Sequence, residues 1–173
     1  FAEAIVDNLS SQYCIDQDRL YGIGYSLGSM FTYEIACQLN HRFAAVASFA
    51  GTMPVDPETC ELVGGMGILH IHGKLDYIID YDDDWDWKDG EHEGVGTMSN
   101  VPGMIEAWSM RANCGSSDTD ADFFLEHITH SDCFGGARVE HYGIEFWEHT
   151  WPDEVDGTPT YQLMWDFLSD FTN

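Results

Sequence analysis

Gly22-Ile23-Gly24-Tyr25-Ser26-Leu27-Gly28 is a short apolar run that passes through a G-x-S-x-G pentapeptide into a helical pattern. Such a pentapeptide turns a strand sharply into a helix, and the serine sits on the turn in a backbone conformation that few side chains adopt. Glycines two before and two after the serine leave room for neighbouring backbone, so Gly24 and Gly28 are expected there on steric grounds. The Ser26 hydroxyl then projects at the carboxyl edge of a sheet with a helix N-terminus behind it. That places partial positive charge where a carbonyl oxygen would become an oxyanion. The pattern is short enough to recur by chance, and an ordinary strand-to-helix turn with a solvated serine is the plain alternative. The flanks favour the elbow. Arg19 to Tyr25 reads as a strand, and Ser29 to Asn40 carries Met30, Phe31, Ile35 and Leu39 at helical spacing.

Working outward, Phe1 to Leu9 reads as a helix, and a first residue other than Met suggests a processed, trimmed or partial sequence. After the elbow helix, Phe43 to Phe49 is an apolar strand, and Gly67 to His72 is another, nearly all apolar as in a parallel sheet buried on both faces. Val101 to Ala112 predicts a helix with Ile105, Trp108 and Ser109 on one side. The polar run Gly115 to Asp122 reads as a surface loop, with strands at Asp122 to Ile128 and Ala137 to Phe146. A last helix has Thr158 as N-cap, Pro159 at its first position, and Met164, Phe167, Leu168 and Phe171 as a core stripe. This alternation implies an α/β fold with a mostly parallel sheet and flanking helices. No linker divides the chain, so residues 1–173 are read as a single domain.

The chain carries 31 acidic against 6 basic residues, a net charge of -25. Nucleic acid is therefore excluded as a partner, because phosphates need a Lys/Arg footprint. No apolar run approaches the ~20 residues of a membrane span, so no membrane partner is expected. Cys14, Cys37, Cys60, Cys114 and Cys133 show no C-x-x-C spacing, which argues against a metal or thioredoxin-like site. Disulfides in a secreted, extracellular protein fit better, with buried free thiols as the alternative. Between Asp80 and Glu93, acids at Asp82, Asp84, Asp86 and Glu93 follow a calcium-loop spacing, but Trp87 stands where the turn demands glycine. A solvated acidic loop is the better reading of that stretch.

A serine hydroxyl needs a base, and the base needs an orienting carboxylate. In the strand-elbow-helix arrangement the chain order is serine, acid, histidine. Asp76 lies just beyond the strand ending at His72-Gly73, with Asp80 its nearest rival. His149 lies between the last predicted strand and the final helix, ahead of the other seven histidines on chain order and topology. His70 and His72, on a buried strand, are expected in packing or hydrogen-bonding roles behind the site.

Four blocks in this order carry a family resemblance. They are Tyr13-Cys14-Ile15-Asp16 with Arg19-Leu20-Tyr21 and the pentapeptide; Phe43-Ala44-Ala45-Val46-Ala47 ending at Gly51; His72-Gly73-Lys74-Leu75-Asp76 with Tyr81; and Glu148-His149-Thr150-Trp151-Pro152. Together they resemble the secreted polyhydroxybutyrate-depolymerase-like esterases, which include feruloyl esterases and have the α/β-hydrolase fold; Trp108 and Cys114 match the family's helix and the cysteine after it. The resemblance implies a serine carboxylesterase that needs no cofactor. Ser26 would be the nucleophile, His149 the base, Asp76 the acid and the Leu27 N–H an oxyanion donor, with Tyr25 and Trp151 at the substrate. Trp108 could line an acyl pocket, though core packing is its expected role. The substrate would be a small-molecule or polysaccharide-linked ester, feruloyl-type or short hydroxyalkanoate.

The sequence departs from the family at Ser29, usually glycine, and at Glu148, whose carboxylate is expected to bear on His149 or its loop. Such folds have several strands before the elbow, and a loop after one of them gives the second oxyanion donor. Only 25 residues precede Ser26, so the chain is expected to lack its N-terminal strands and to need a further N-terminal polypeptide for activity; strands built from residues 1–18 would overturn this. The alternative function is a catalytically impaired, hydrolase-derived binding module. Cys114 and Cys133 bracket one excursion, Cys37 and Cys60 could pin the elbow helix to the following loop, and Cys14 is left over.

Overall fold

The computed structural model describes residues 1–57, 59–86 and 96–173. In chain order the elements are α1 (Ala2–Gln12), β1 (Tyr21–Tyr25), α2 (Leu27–Gln38), β2 (Ala45–Phe49) and β3 (Gly67–Gly73). Next come the two-residue β4 (Trp85–Asp86) and β5 (Thr97–Met98), then α3 (Val101–Arg111), β6 (Ser116–Ala121), β7 (Leu125–Ser131) and β8 (Arg138–Ile144). The chain closes with β9 (Glu154–Val155), β10 (Thr158–Pro159) and α4 (Thr160–Ser169).

Six strands form one sheet in the order β1-β2-β3-β8-β7-β6. The pairs β1/β2, β2/β3 and β3/β8 are parallel, so the carboxyl ends of four strands share one edge. Register runs across them through Tyr25, Phe49, Ile71 and Tyr142. The β6/β7 hairpin completes the sheet in antiparallel sense. Strand alternation splits the core in two. Val46, Ile68 and Val139 pack under α2 and α3 with Tyr33, Met104 and Trp108, while Ala47, Leu69 and Ile71 pack under α4 with Met164, Phe167 and Leu168. Two disulfides, Cys37–Cys60 and Cys114–Cys133, staple α2 to the loop before β3 and close the base of the hairpin. Each closes a loop of about 20 residues, a constraint of about 3 kcal/mol on the unfolded chain in the loop-entropy picture. Cys14 is free and exposed.

Several sequence expectations change. The polar run Gly115 to Asp122 is not a loop but the wholly exposed strand β6, formed because the Asp122 turn folds it back onto β7. Asp118 and Asp120 on this edge strand give it the charge that discourages edge-to-edge association. On α2 the buried face is Ser29, Thr32, Tyr33 and Ala36, not Met30, Phe31, Ile35 and Leu39. Small side chains let the helix lie close over β1 and β2, and Phe31 is left 46% exposed. Thr158 does not cap α4; it pairs with Val155, and Pro159 takes the cap position. Residues 1–18 form α1 and irregular chain, and among the described residues β1 pairs with β2 alone. Trp87 and Glu93, and with them the calcium-type spacing, lie outside the described residues. Within that spacing the Asp84 carboxylate accepts from the Asn100 backbone and side-chain N–H groups, and Asp86 accepts from Thr97. No helix among the described residues is long and apolar enough to cross a membrane.

Candidate active site

Ser26 ends β1 and caps α2 with φ 55° and ψ -120°, a backbone region where a residue with a Cβ is strained. Its N–H donates to the Phe49 carbonyl (3.0 Å) and its carbonyl accepts from Met30 N–H (3.1 Å), so both sides of the turn are tied to regular structure. A Cβ on Gly24 would lie 2.1 Å from the Gly28 carbonyl oxygen, and one on Gly51 would lie 2.2 Å from Ser29 Oγ. The steric demand at Gly24 is therefore real. At Gly28 it is not, because a Cβ there meets nothing within 4 Å; what Gly28 contributes is its backbone, which presses on Gly24. Leu27 is the first residue of α2, and its N–H belongs to the helical turn whose donors have no intrahelical carbonyl. Ser29, in place of a family glycine, is fully buried and bonded to the Ser48 hydroxyl, so a polar partner absorbs the change.

Asp76 follows β3 and His149 follows β8, both at the carboxyl edge that carries Ser26. His149 Nε2 is 2.9 Å from Ser26 Oγ, and His149 Nδ1 is 2.6 Å from Asp76 Oδ2. The structure thus brings Ser26, His149 and Asp76 into one hydrogen-bonded line. Asp80, the rival acid, is exposed and accepts instead from the Asp82 and Asp83 N–H groups in its own turn. Gly73 makes the arrangement sterically feasible. A Cβ on it would meet the Trp147 carbonyl oxygen at 2.3 Å, so only glycine lets the histidine loop cross the end of β3. The crossing is held by Leu75 N–H to the Trp147 carbonyl and Lys74 N–H to the Ile144 carbonyl, each 2.9 Å.

The Tyr25 hydroxyl donates to the His149 carbonyl at 2.9 Å, and the Tyr25 ring packs against Phe49, His149 and Trp151. Tyr25 and Trp151 are each 40% exposed beside His149. Trp108 is elsewhere: it is fully buried against Tyr33 in the core and lines no acyl pocket. Glu148 is exposed, and its carbonyl accepts from Thr150 N–H in an ordered turn, so the histidine loop keeps its shape. Sequence reading missed the tie from Tyr25 to the His149 backbone, which has no pattern of its own. It also missed the demand for glycine at 51 and 73, positions set by Ser29 on α2 and by Trp147 in the histidine loop, both distant in sequence.

Asp76 receives four donors. Its Oδ1 accepts from Ile78 and Ile79 N–H (2.9 Å each), and its Oδ2 faces His149 Nδ1 and, at 3.2 Å, His72 Nε2. Burial alone would raise the carboxyl pKa, but the bonds from His72, Ile79, His149 and Ile78 outweigh it and hold it at about 2. A folded value below the unfolded one, about 3.9, means that ionised Asp76 stabilises the fold above the unfolded value. The contribution, about 2 kcal/mol, is lost as pH falls through about 2. Asp76→Asn cannot satisfy this site, since its amide must turn an N–H at one of two donor pairs. The variant is expected to melt well below the parent at pH 7, with the gap narrowing as thermal unfolding is followed down to pH 2.

Comparisons place the chain among known proteins. Residues 2–85 match the model of the phospholipase/carboxylesterase family. NocK of Nocardia uniformis subsp. tsuyamanensis, named as an esterase, is 30% identical over 88% of this chain and 48% of its own length. The bifunctional acetylxylan esterase/xylanase XynS20E of Neocallimastix patriciarum is 25% identical over 97% of this chain and 22% of its own. Feruloyl esterase B of Piromyces equi is 24% identical over 99% of this chain and 31% of its own. The chain thus spans about half the length, or less, of these relatives. The solved acetyl xylan esterase of Aspergillus awamori superposes with a TM-score of 0.63 at 13% identity, over 97% of this chain and 66% of that one, which speaks to the fold alone. With its mostly parallel sheet, its elbow and this structural neighbour, the chain has an α/β-hydrolase-type fold, and the relatives it is similar to are named as esterases, feruloyl and acetylxylan esterases among them.

Proposed function

We propose that this chain carries the catalytic centre of a serine carboxylesterase that works through an acyl-enzyme. The observation that supports it is the line from Ser26 Oγ through His149 to Asp76, with bonds of 2.9 and 2.6 Å on a strained elbow. Ser26 Oγ attacks the ester carbonyl carbon as its proton passes to His149 Nε2, and the Leu27 N–H and the α2 N-terminus face the developing oxyanion. The intermediate collapses, and the departing alkoxide takes the proton from His149. Water, deprotonated by His149, then attacks the acyl-enzyme and releases the acid. Asp76 keeps Nδ1 of His149 protonated so that Nε2 is free to accept.

Esters of the feruloyl type in plant walls are the preferred substrates of this reading, and short hydroxyalkanoate esters are the second class. The half-exposed rings of Tyr25 and Trp151 beside His149 support an aromatic or flat acyl group, and relatives are named for feruloyl and acetylxylan esters. Two disulfides fit an extracellular setting. Because β1 pairs on one side among the described residues, a further polypeptide beside it, bringing a second oxyanion donor, is the partner this reading carries.

A fluorophosphonate probe tests the proposal. Ser26 is expected to be labelled in the folded chain and unlabelled in Ser26→Ala, with ester turnover following the label. A folded chain that takes no label, alone or with its N-terminal partner, would instead be a hydrolase-derived binding module.

A further inference from the structure

Behind Asp76 lies a run of fully buried polar side chains that the ester chemistry above does not use. His72 Nε2 is 3.1 Å from the Ile79 carbonyl oxygen and 3.2 Å from Asp76 Oδ2. Both neighbours are acceptors, so Nε2 carries hydrogen, and in the tautomer that this fixes Nδ1 accepts. The donor to Nδ1 is His70 Nε2, at 3.0 Å. That leaves His70 Nδ1 as an acceptor, and the Tyr33 hydroxyl supplies its proton at 2.6 Å. Tyr33 is hydrogen-bonded in turn to Ser48. The tautomers are thus forced one after another, and each N–H or O–H from Tyr33 onward points toward Asp76.

The surroundings keep His70 and Tyr33 neutral. Burial, then the neighbouring His72 and His141, pushes the His70 pKa well down, while burial pushes Tyr33 up. From β8, His141 stacks on His70, donates through Nδ1 to the His70 carbonyl (3.2 Å) and accepts from the Tyr81 hydroxyl (2.8 Å). Burial lowers the His141 pKa to about 3. The groups facing His72 are therefore His70 on its own strand, His141 on β8, and Asp76 and Tyr81 from the following loop. All six ring nitrogens of His70, His72 and His141 are engaged, so the cluster has no lone pair left for a metal ion.

We propose that His72, backed by His70 and Tyr33, is a positioning residue for the ester chemistry: it fixes the rotamer of Asp76 and the charge on Oδ2, and through them the orientation of His149. The proposal rests on the serine-esterase reading. A line of aligned donors concentrates positive potential at the carboxylate. It also couples the acid to α2 and β2, the elements that frame the elbow, so the acid and the nucleophile share one support.

His72→Leu removes the donor, whereas His72→Gln keeps an N–H near the place of Nε2. In His72→Leu, kcat is expected to fall about 10- to 100-fold with KM within about twofold, and His72→Gln is expected to recover most of the loss. The low-field proton resonance of His149 Nδ1–H should move in His72→Leu and return in His72→Gln. That resonance reads the bond from His149 to Asp76 without ester turnover. A wild-type chain without turnover would therefore defeat the esterase reading while the relay was still being measured. A folded His72→Leu with unchanged kcat and an unmoved resonance would overturn the relay, as would equal losses in both variants with the resonance unmoved. If His72→Leu does not fold, Tyr33→Phe, which keeps shape and removes one donor, should displace the resonance in the same sense by less; no displacement there overturns the proposal.

Discussion

Ser26→Ala and His149→Ala are each expected to lower kcat for a chromogenic ester by about 10⁵- to 10⁶-fold, and the double variant is expected to lose no more than either. The non-additivity is the informative part. Ser26 Oγ and Asp76 Oδ2 are bound to opposite nitrogens of the same His149 ring, so in the proposed mechanism the three groups act as one proton-transfer unit. Once one is gone, the others have no proton to move. If the two losses multiplied, Ser26 and His149 would be acting independently and the proposed mechanism would be wrong. Stability separates a second property of the serine. Its φ of 55° strains any residue with a Cβ, so Ser26→Ala should unfold near the parent temperature. Ser26→Gly, which adopts that conformation freely, should be more stable by about 1 kcal/mol in urea denaturation. Equal stability of the two would mean that the turn relaxes on replacement.

The site was more legible in the sequence than the sheet. Ser26, Asp76 and His149 follow β1, β3 and β8 of one parallel set, so chain order and the shared carboxyl edge suffice to bring them together once the elbow is recognised. Asp76 separates from Asp80 only in three dimensions: one is enclosed by four donors and the other caps its own turn. Strand β6 was illegible because its residues are polar on both faces, and a strand that buries nothing has no period to detect. The buried face of α2 was misread for the opposite reason. Large apolar side chains dominate the pattern, but the space above β1 and β2 admits Ser29, Thr32 and Ala36 and turns Phe31 outward. His70 and His72 had a visible signal in their spacing of two on an apolar strand. The direction of their hydrogen bonds depends on Tyr33 and the Ile79 carbonyl, which adjacency in sequence does not reveal.

Three glycine replacements should separate the demands of the elbow from those of the histidine loop. Gly24→Ala drives a methyl group onto the Gly28 carbonyl (2.1 Å) and Thr32 Oγ1 (2.3 Å), which lie in the first and second turns of α2. The Thr32 hydroxyl itself donates to the Gly28 carbonyl at 2.8 Å, so neither can move alone. The helix must shift away from β1, at a cost of about 3 kcal/mol or more, and ester turnover is expected to fail together with folding. Gly73→Ala meets the Trp147 carbonyl at 2.3 Å instead, and that carbonyl belongs to a loop rather than to a packed helix. The loop can yield, but it carries His149 away from Ser26, so kcat should drop by about 100-fold or more while the melting temperature changes little. Gly28→Ala meets nothing within 4 Å and lies inside α2, where alanine is favoured over glycine by about 1 kcal/mol. It should keep turnover and gain stability, even though Gly28 is a fixed position of the pentapeptide. Thermal unfolding and turnover measured on the same three preparations decide the matter. If Gly28→Ala folds like the parent but loses turnover, the room at Gly28 is needed by something that approaches the elbow from outside, and the ester itself is the first candidate.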